Sequence, residues 1–232
     1  MKKTILALVL ISYPLGATEN LERLSPSYVK GAIEGHYQKS ESNSQAGIKL
    51  QVGNGIVAGT LDYITLEEGG NDSSATNVGF KFRTRTLFGG IEANLHSSAH
   101  FEHYGKLDPE YGFHFGYEFN PNLYLMWERD KAQFKDSGDV SGVDSSTDFQ
   151  VDLVKLGGQV ALTNTVYLTG GIGWVQQEID VDERHTNLSD RTVRNGMADV
   201  GVQYINSNGF NIGLEAGYQD EASLNLNVGR YF

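Results

Sequence analysis

From residue 28 onward the chain alternates apolar and polar positions with period two. Phe210, Ile212, Leu214, Ala216 and Tyr218 share one face, and Asn211, Gly213, Glu215, Gly217 and Gln219 the other. Successive side chains of a strand point to opposite faces, so this pattern reads as a strand with one greasy side and one polar side. The same split runs through Tyr111 to Phe119, with Gly112, His114, Gly116 and Glu118 as the polar set, and through Val29 to Tyr37 against Lys30, Ala32, Glu34 and His36. It predicts strands over 28–38, 45–53, 56–66, 76–84, 87–97, 109–119, 123–134, 148–162, 166–179, 192–205, 210–219 and 222–232. Within 148–162 the parity switches: Phe149, Val151 and Leu153 hold one phase, then Val154, Leu156, Val160 and Leu162 hold the other. One inserted residue, a β-bulge, would return both sets to the apolar face; a strand end is the competing reading.

Two kinds of connection alternate along the chain. Tight-turn chemistry occurs at Asn54-Gly55, Asn120-Pro121-Asn122, Thr163-Asn164 and Asn206 to Gly209. Longer polar segments lie near 67–75, 98–108, 135–147 and 180–191. Short turns at one end and long loops at the other, with an even strand count, describe a transmembrane up-and-down antiparallel β-barrel. The expected architecture is all-β with about twelve strands, ten or eight remaining open, in one domain over 18–232.

The N-terminus adds the route. Lys2 and Lys3, the apolar run Ile5 to Ile11, and Pro14-Leu15-Gly16-Ala17 form a secretory signal peptide over 1–17, with the expected cut after Ala17. Export makes low mean hydropathy compatible with a membrane, because only every second residue of a barrel strand faces lipid. The 18 Lys+Arg against 29 Asp+Glu give a net charge of −11, and loss of Lys2 and Lys3 takes it to −13. Such a chain is a poor partner for nucleic acid. With no cysteine there is neither a disulfide framework nor a thiolate metal site.

The last strand, Leu224-Asn225-Leu226-Asn227-Val228-Gly229-Arg230-Tyr231-Phe232, alternates and stops on a terminal Phe. It resembles the recognition strand of Gram-negative outer-membrane barrels, which their insertion machinery reads. The resemblance implies that Leu224, Leu226, Val228 and Phe232 act as the barrel-assembly signal. Arg230 departs from the pattern. The stretch Gly116-Tyr117-Glu118-Phe119-Asn120-Pro121-Asn122-Leu123 is similar to small OmpA-like barrels. Length and strand count are closer to the oligogalacturonate-porin type, and colonisation-factor barrels are of similar size. The basic lumen of the oligogalacturonate porins has no counterpart here. The resemblance further implies outer-membrane lipid and lipopolysaccharide as surroundings.

With the apolar parity outside, the residues expected to line the lumen are Glu34, Asp62, Lys81, Arg83, Glu92, His114, Glu118, Glu128, Asp152, Asp199 and Glu215. They suit either a narrow aqueous path whose carboxylates favour cations and neutral solutes, or a closed plug of mutually satisfied charges. Catalysis finds less support. The His-x-Ser-Asn-Gly type motif of outer-membrane phospholipases is missing, since Asn206 to Gly209 reads as a turn. His96, His100 and His103 sit near an outer loop, where omptin-type proteases place Asp and His, but in no known metal-ligand spacing. Asp136 to Asp144 is rich in Asp and Gly without the spacing of a helix-loop-helix calcium site, so no metal or cofactor is expected. Tyr28, Tyr37, Tyr63, Trp127, Trp174, Tyr204 and Tyr218 fit interfacial aromatic girdles. Two functions follow: a narrow passive channel for small neutral or cationic solutes, or a non-conducting surface barrel whose acidic outer loops bind lipopolysaccharide or a partner.

Overall fold

The computed structural model describes residues 18–232 except 69–70, 98–99, 102–104, 137–144, 184–185 and 188–190; residues 1–17, expected to be a signal peptide, lie outside them. A short helix, α1 (Thr18–Leu24), precedes strands β1 (Ala32–Ser40), β2 (Asn43–Gly53), β3 (Val57–Glu68), β4 (Asn71–Arg83) and β5 (Leu87–Ser97). Then come β7 (Gly105–Asn120), β8 (Leu123–Asp136), β9 (Ser145–Ala161), β10 (Val166–Glu183), β12 (Arg191–Ile205), β13 (Phe210–Tyr218) and β14 (Ala222–Tyr231). The two-residue ladders β6 (His100–Phe101) and β11 (Thr186–Asn187) extend outer loops and lie off the barrel. Each of the twelve barrel strands pairs antiparallel with its neighbours, and β14 closes on β1 from Ala32↔Tyr231 to Ser40↔Ser223. Closure leaves no sheet edge in lipid, where an unpaired backbone amide finds no water.

The turns at the end carrying Phe232, which the class places in the periplasm, share one device. A short side chain captures amides two to four residues ahead, fixing the reversal locally. Asn54 Oδ1 accepts from the amides of Ile56 and Val57, Thr84 Oγ1 from Leu87, and Asn120 Oδ1 from Asn122. Thr163 Oγ1 does the same for Thr165 and Val166, and Asn206 Oδ1 for Asn208 and Phe210. Gly55 and Gly209 take the left-handed φ values of 95° and 80° that two of these turns require.

The outer face is apolar over most of the barrel: Ile33, Leu61, Phe80, Ile91, Phe115, Leu156, Ile172, Val202 and Leu214 are all exposed. Two expectations are corrected. First, residues 28–31 do not continue β1. Tyr28 and Val29 are buried at 8% and 2% exposure, so Tyr28 is no girdle residue; its ring packs edge-to-face on Tyr231 and its hydroxyl donates to Phe232 O.

Second, β9 carries no bulge. Its pairing is unbroken against both β8 and β10. Leu153 therefore stands beside Glu128 and Val175 on the inner face, and Val151 beside Asp130 and Gln177. Asp152 points outward, against the prediction for it. The reason is height. β9 and β10 have 17 and 18 residues, whereas roughly 9–11 suffice to span. Above Trp127 and Trp174 the wall has left the hydrocarbon, and its polarity inverts. Outside lie Arg129, Gln150, Asp152, Gln176, Glu178 and Arg194, tied together by hydrogen bonds. Asp152 takes a two-pronged pair from Arg129 at 2.7 and 2.9 Å and the Trp127 indole N–H at 3.2 Å. That reading predicts a contrast along one strand. Leu156→Arg should cost about 2–4 kcal/mol, and Gln150→Arg about 0–1. Urea unfolding in lipid vesicles reads both; equal costs would contradict the inversion.

Candidate functional site

The lumen is the site, and its inner face is set strand by strand by the polar parity. Of the residues expected there, Glu34, Asp62, Lys81, Arg83, Glu92, His114, Glu118, Glu128, Asp199 and Glu215 fall on that inner parity. Asp152 does not. Among the described residues inward cations are fewer than inward carboxylates, and three of them are paired with carboxylates. Lys49 stands 3.7 Å from both Asp62 and Glu92, and Arg83 lies 3.0 Å from Glu118. Lys155, which the strand parity should have placed inside, lies 2.6 Å from Asp199.

Three aromatics on the inner parity narrow the lower lumen. Phe88 is 1% exposed, with its ring over Gly116, so a side chain at 116 would collide with it. Tyr124 lies likewise over Gly157, and the two rings meet edge-to-face at 6.4 Å. A ring filling the space above a glycine on the next strand covers backbone that would otherwise be bare. Tyr167, fully buried, is the third.

Beneath them the N-terminal segment closes part of the periplasmic mouth. Leu21 on α1 is fully buried against Tyr167 and Ile205. Polar groups latch the segment around the ring: the Asn20 amide donates to Asn164 O and Ile205 O, and the Gln159 amide to Leu21 O and Pro121 O. The Gln51 amide donates to Tyr28 O and Lys30 O. The Ser27 hydroxyl donates at 3.0 Å to the Glu118 oxygen that also holds Arg83.

Cavities lie on both sides of this segment. One of about 590 Å³ occupies the outer half beside Lys49, Glu92, Asn94, Glu128 and Asp130, and another of about 440 Å³ lies by Lys155, Asp199 and Glu215. Lys49 also borders a smaller one of about 250 Å³ that reaches down to Ser25, Pro26 and Tyr28. Past the segment, about 1090 Å³ opens at the periplasmic end along Lys30, Arg83, Arg85 and Glu118.

Leu224, Leu226, Val228 and Phe232 are exposed on the outer face. The side chains of His96, His100 and His103 and the loop 137–144 lie outside the described residues. Among the described residues no cluster of three metal-ligating side chains occurs, and no helix is long and apolar enough to cross a membrane.

A lipid-facing apolar belt around a closed twelve-stranded ring with a polar inside decides the class. This is an outer-membrane β-barrel fold. The solved outer membrane channel from Pseudomonas putida F1 superposes on 88% of this chain and 96% of its own at a TM-score of 0.62, with 12% identity. The KdgM porin gives 0.49 over 87% and 99% at 9% identity, and Omp33 of Acinetobacter baumannii 0.46 over 90% and 100% at 9%. No protein-family model and no curated protein sequence matches the chain.

Proposed function

We propose that the protein is exported, inserted in the outer membrane, and forms a narrow passive channel for small neutral or cationic solutes, held closed at the periplasmic mouth by residues 18–31. The observation that carries this reading is the file of cavities interrupted by the N-terminal segment, with Lys49 bordering two of them and Ser27 and Glu118 at the break. Inward carboxylates outnumber inward cations, so the field in the path favours positive solutes. The fold of a solved outer membrane channel accords with this reading.

The test is ion current through refolded protein in a planar bilayer, after a heat-modifiability gel has shown a closed barrel. The full chain should conduct weakly. A chain lacking 18–27 should give steps several-fold larger and cation-selective, and Glu92→Gln with Glu128→Gln should reduce that selectivity. A folded barrel that stays silent without 18–27 would sink the channel and leave the surface-barrel reading in its place.

A further inference from the structure

The outer half of the lumen has two chemically distinct walls that meet along one seam. The acids of one wall come from β5 and β8, with Gly112 and His114 of β7 between them. Glu92 on β5 and Asp130 on β8 both pair with Gly112 on β7, the strand between them. Because Gly112 has no side chain, the Asp130 carboxylate leans over it toward Glu92; a Cβ at 112 would strike it. Glu128 lies two residues below Asp130 on the same face.

On β9, above Lys155, the inward residues Leu153 and Val151 are apolar, because the wall inverts its polarity above Trp127 and Trp174; on β10 Val175 continues that strip and Gln177 ends it. Leu153 stands across from Glu128, and Val151 from Asp130. Directly opposed residues of adjacent strands hold their Cβ atoms about 4.5–5.5 Å apart, so each carboxylate abuts an aliphatic side chain. Leu153 in turn pairs with Val175, which is 3% exposed.

A second observation points to a ligand. Asn94 borders the same cavity, is 8% exposed, and its amide nitrogen has no hydrogen-bond partner. The Asn77 side-chain oxygen, on the paired position of β4, also lacks one. A buried donor and acceptor left open beside a cavity stand ready for a solute's own polar groups.

We infer that this cavity is a binding subsite for organic amines with an apolar body. Lys49 borders the same cavity and is already paired with Glu92, so the incoming ammonium sits between Glu128 and Asp130. The alkyl or aryl portion extends out of the cavity across the seam to Leu153 and Val151, their partners on β9. Neutral polar groups on the solute, where present, are taken by Asn94 and Asn77. Carboxylates accept every N–H of an ammonium, while the neighbouring aliphatic wall removes apolar surface from water. The inference deepens the channel reading by naming its solute class.

The experiment is calorimetric titration of the full-length, detergent-solubilised barrel with phenethylammonium chloride, ethylammonium chloride and 2-phenylethanol. Phenethylammonium is expected to bind at least about tenfold more tightly than either of the others, since each lacks one half of the recognition. Glu128→Gln and Asp130→Asn should each weaken it about tenfold or more. Leu153→Asn should weaken phenethylammonium and leave ethylammonium unchanged. Gly112→Ala, which displaces the Asp130 carboxylate without removing it, is a milder variant that should lower affinity in a barrel that still folds. Equal binding of the two ammonium ions, or affinity indifferent to all four substitutions, would overturn the inference. Binding is read without ion flow. A barrel that binds phenethylammonium but never conducts overturns the channel and not the subsite, and one that conducts without binding it does the reverse.

Discussion

Glu118→Ala is expected to lower the unfolding free energy of the barrel by about 3–5 kcal/mol. The carboxylate is 5% exposed, and one of its oxygens accepts from both Arg83 and Ser27 at 3.0 Å. Removing it leaves the Arg83 guanidinium, 20% exposed, without its anion in the barrel interior. The penalty is the stranded charge more than the lost attraction, so the double substitution Arg83→Met with Glu118→Leu should cost much less than Glu118→Ala alone. Glu118→Gln is the gentler probe, because an amide oxygen still accepts from both donors. Glu118→Ala and the double substitution both take away the Ser27 acceptor, so conductance should rise in both, whatever their stability cost, and least in Glu118→Gln, if residues 18–31 close the path. Urea unfolding in vesicles, run beside bilayer recordings, reads both quantities. A cost for Glu118→Ala below about 1 kcal/mol, typical of exposed ion pairs, would show that water solvates this pair freely and that the periplasmic mouth is already open.

The barrel was legible in the sequence because lipid imposes alternation wherever a strand crosses it. All twelve strands lie close to where the pattern put them, and four turns were marked by their Asn, Gly and Thr residues. The errors fall where lipid no longer dictates the pattern. Val29 and Gly31 keep the alternation of β1, yet the chain there turns into the mouth and buries Val29 together with Tyr28. Period two records only two unlike sides, and the inside of a plug supplies those as well as a bilayer does. The parity switch at Leu153-Val154 fits a bulge or a strand end in the sequence, but β9 pairs without a break and irregularities occur elsewhere, at Thr76/Asn77 and in β7. The deciding signal was available in the neighbours. Arg129 on β8 and Gln176 on β10 break the apolar parity of their own strands at the same height as Asp152 on β9, just beyond Trp127 and Trp174. A bulge alters one strand, whereas three adjacent strands changing together mark the surface of the membrane. The inward parity of the acidic residues could be read from the alternation, Asp152 excepted. The floor could not, because it depends on which distant groups meet: Asn20 with Asn164, Gln159 with Leu21, Ser27 with Glu118.

Phe88→Ala is expected to destabilise the barrel by about 3 kcal/mol, the low end of the range for deleting a buried phenyl ring. The ring is 1% exposed although it points into a polar lumen, because Gly116 beside it and Tyr124 beyond it leave no gap. Water can enter the vacated space from the cavities around it, which holds the cost below that of a dry core. Two further consequences separate this account from simple loss of packing. Tyr124 loses its edge-to-face partner and becomes free to swing, so the constriction above the periplasmic floor should widen. In a chain also lacking 18–27, Phe88→Ala should then raise single-channel conductance, whereas in the full chain it should leave current nearly unchanged, because the floor still closes the path. Phe88→Leu should recover most of the stability and only part of the constriction. Equal conductance with and without the ring in the chain lacking 18–27 would place the narrowest point elsewhere, at the Lys49, Asp62 and Glu92 contacts that lie higher in the lumen.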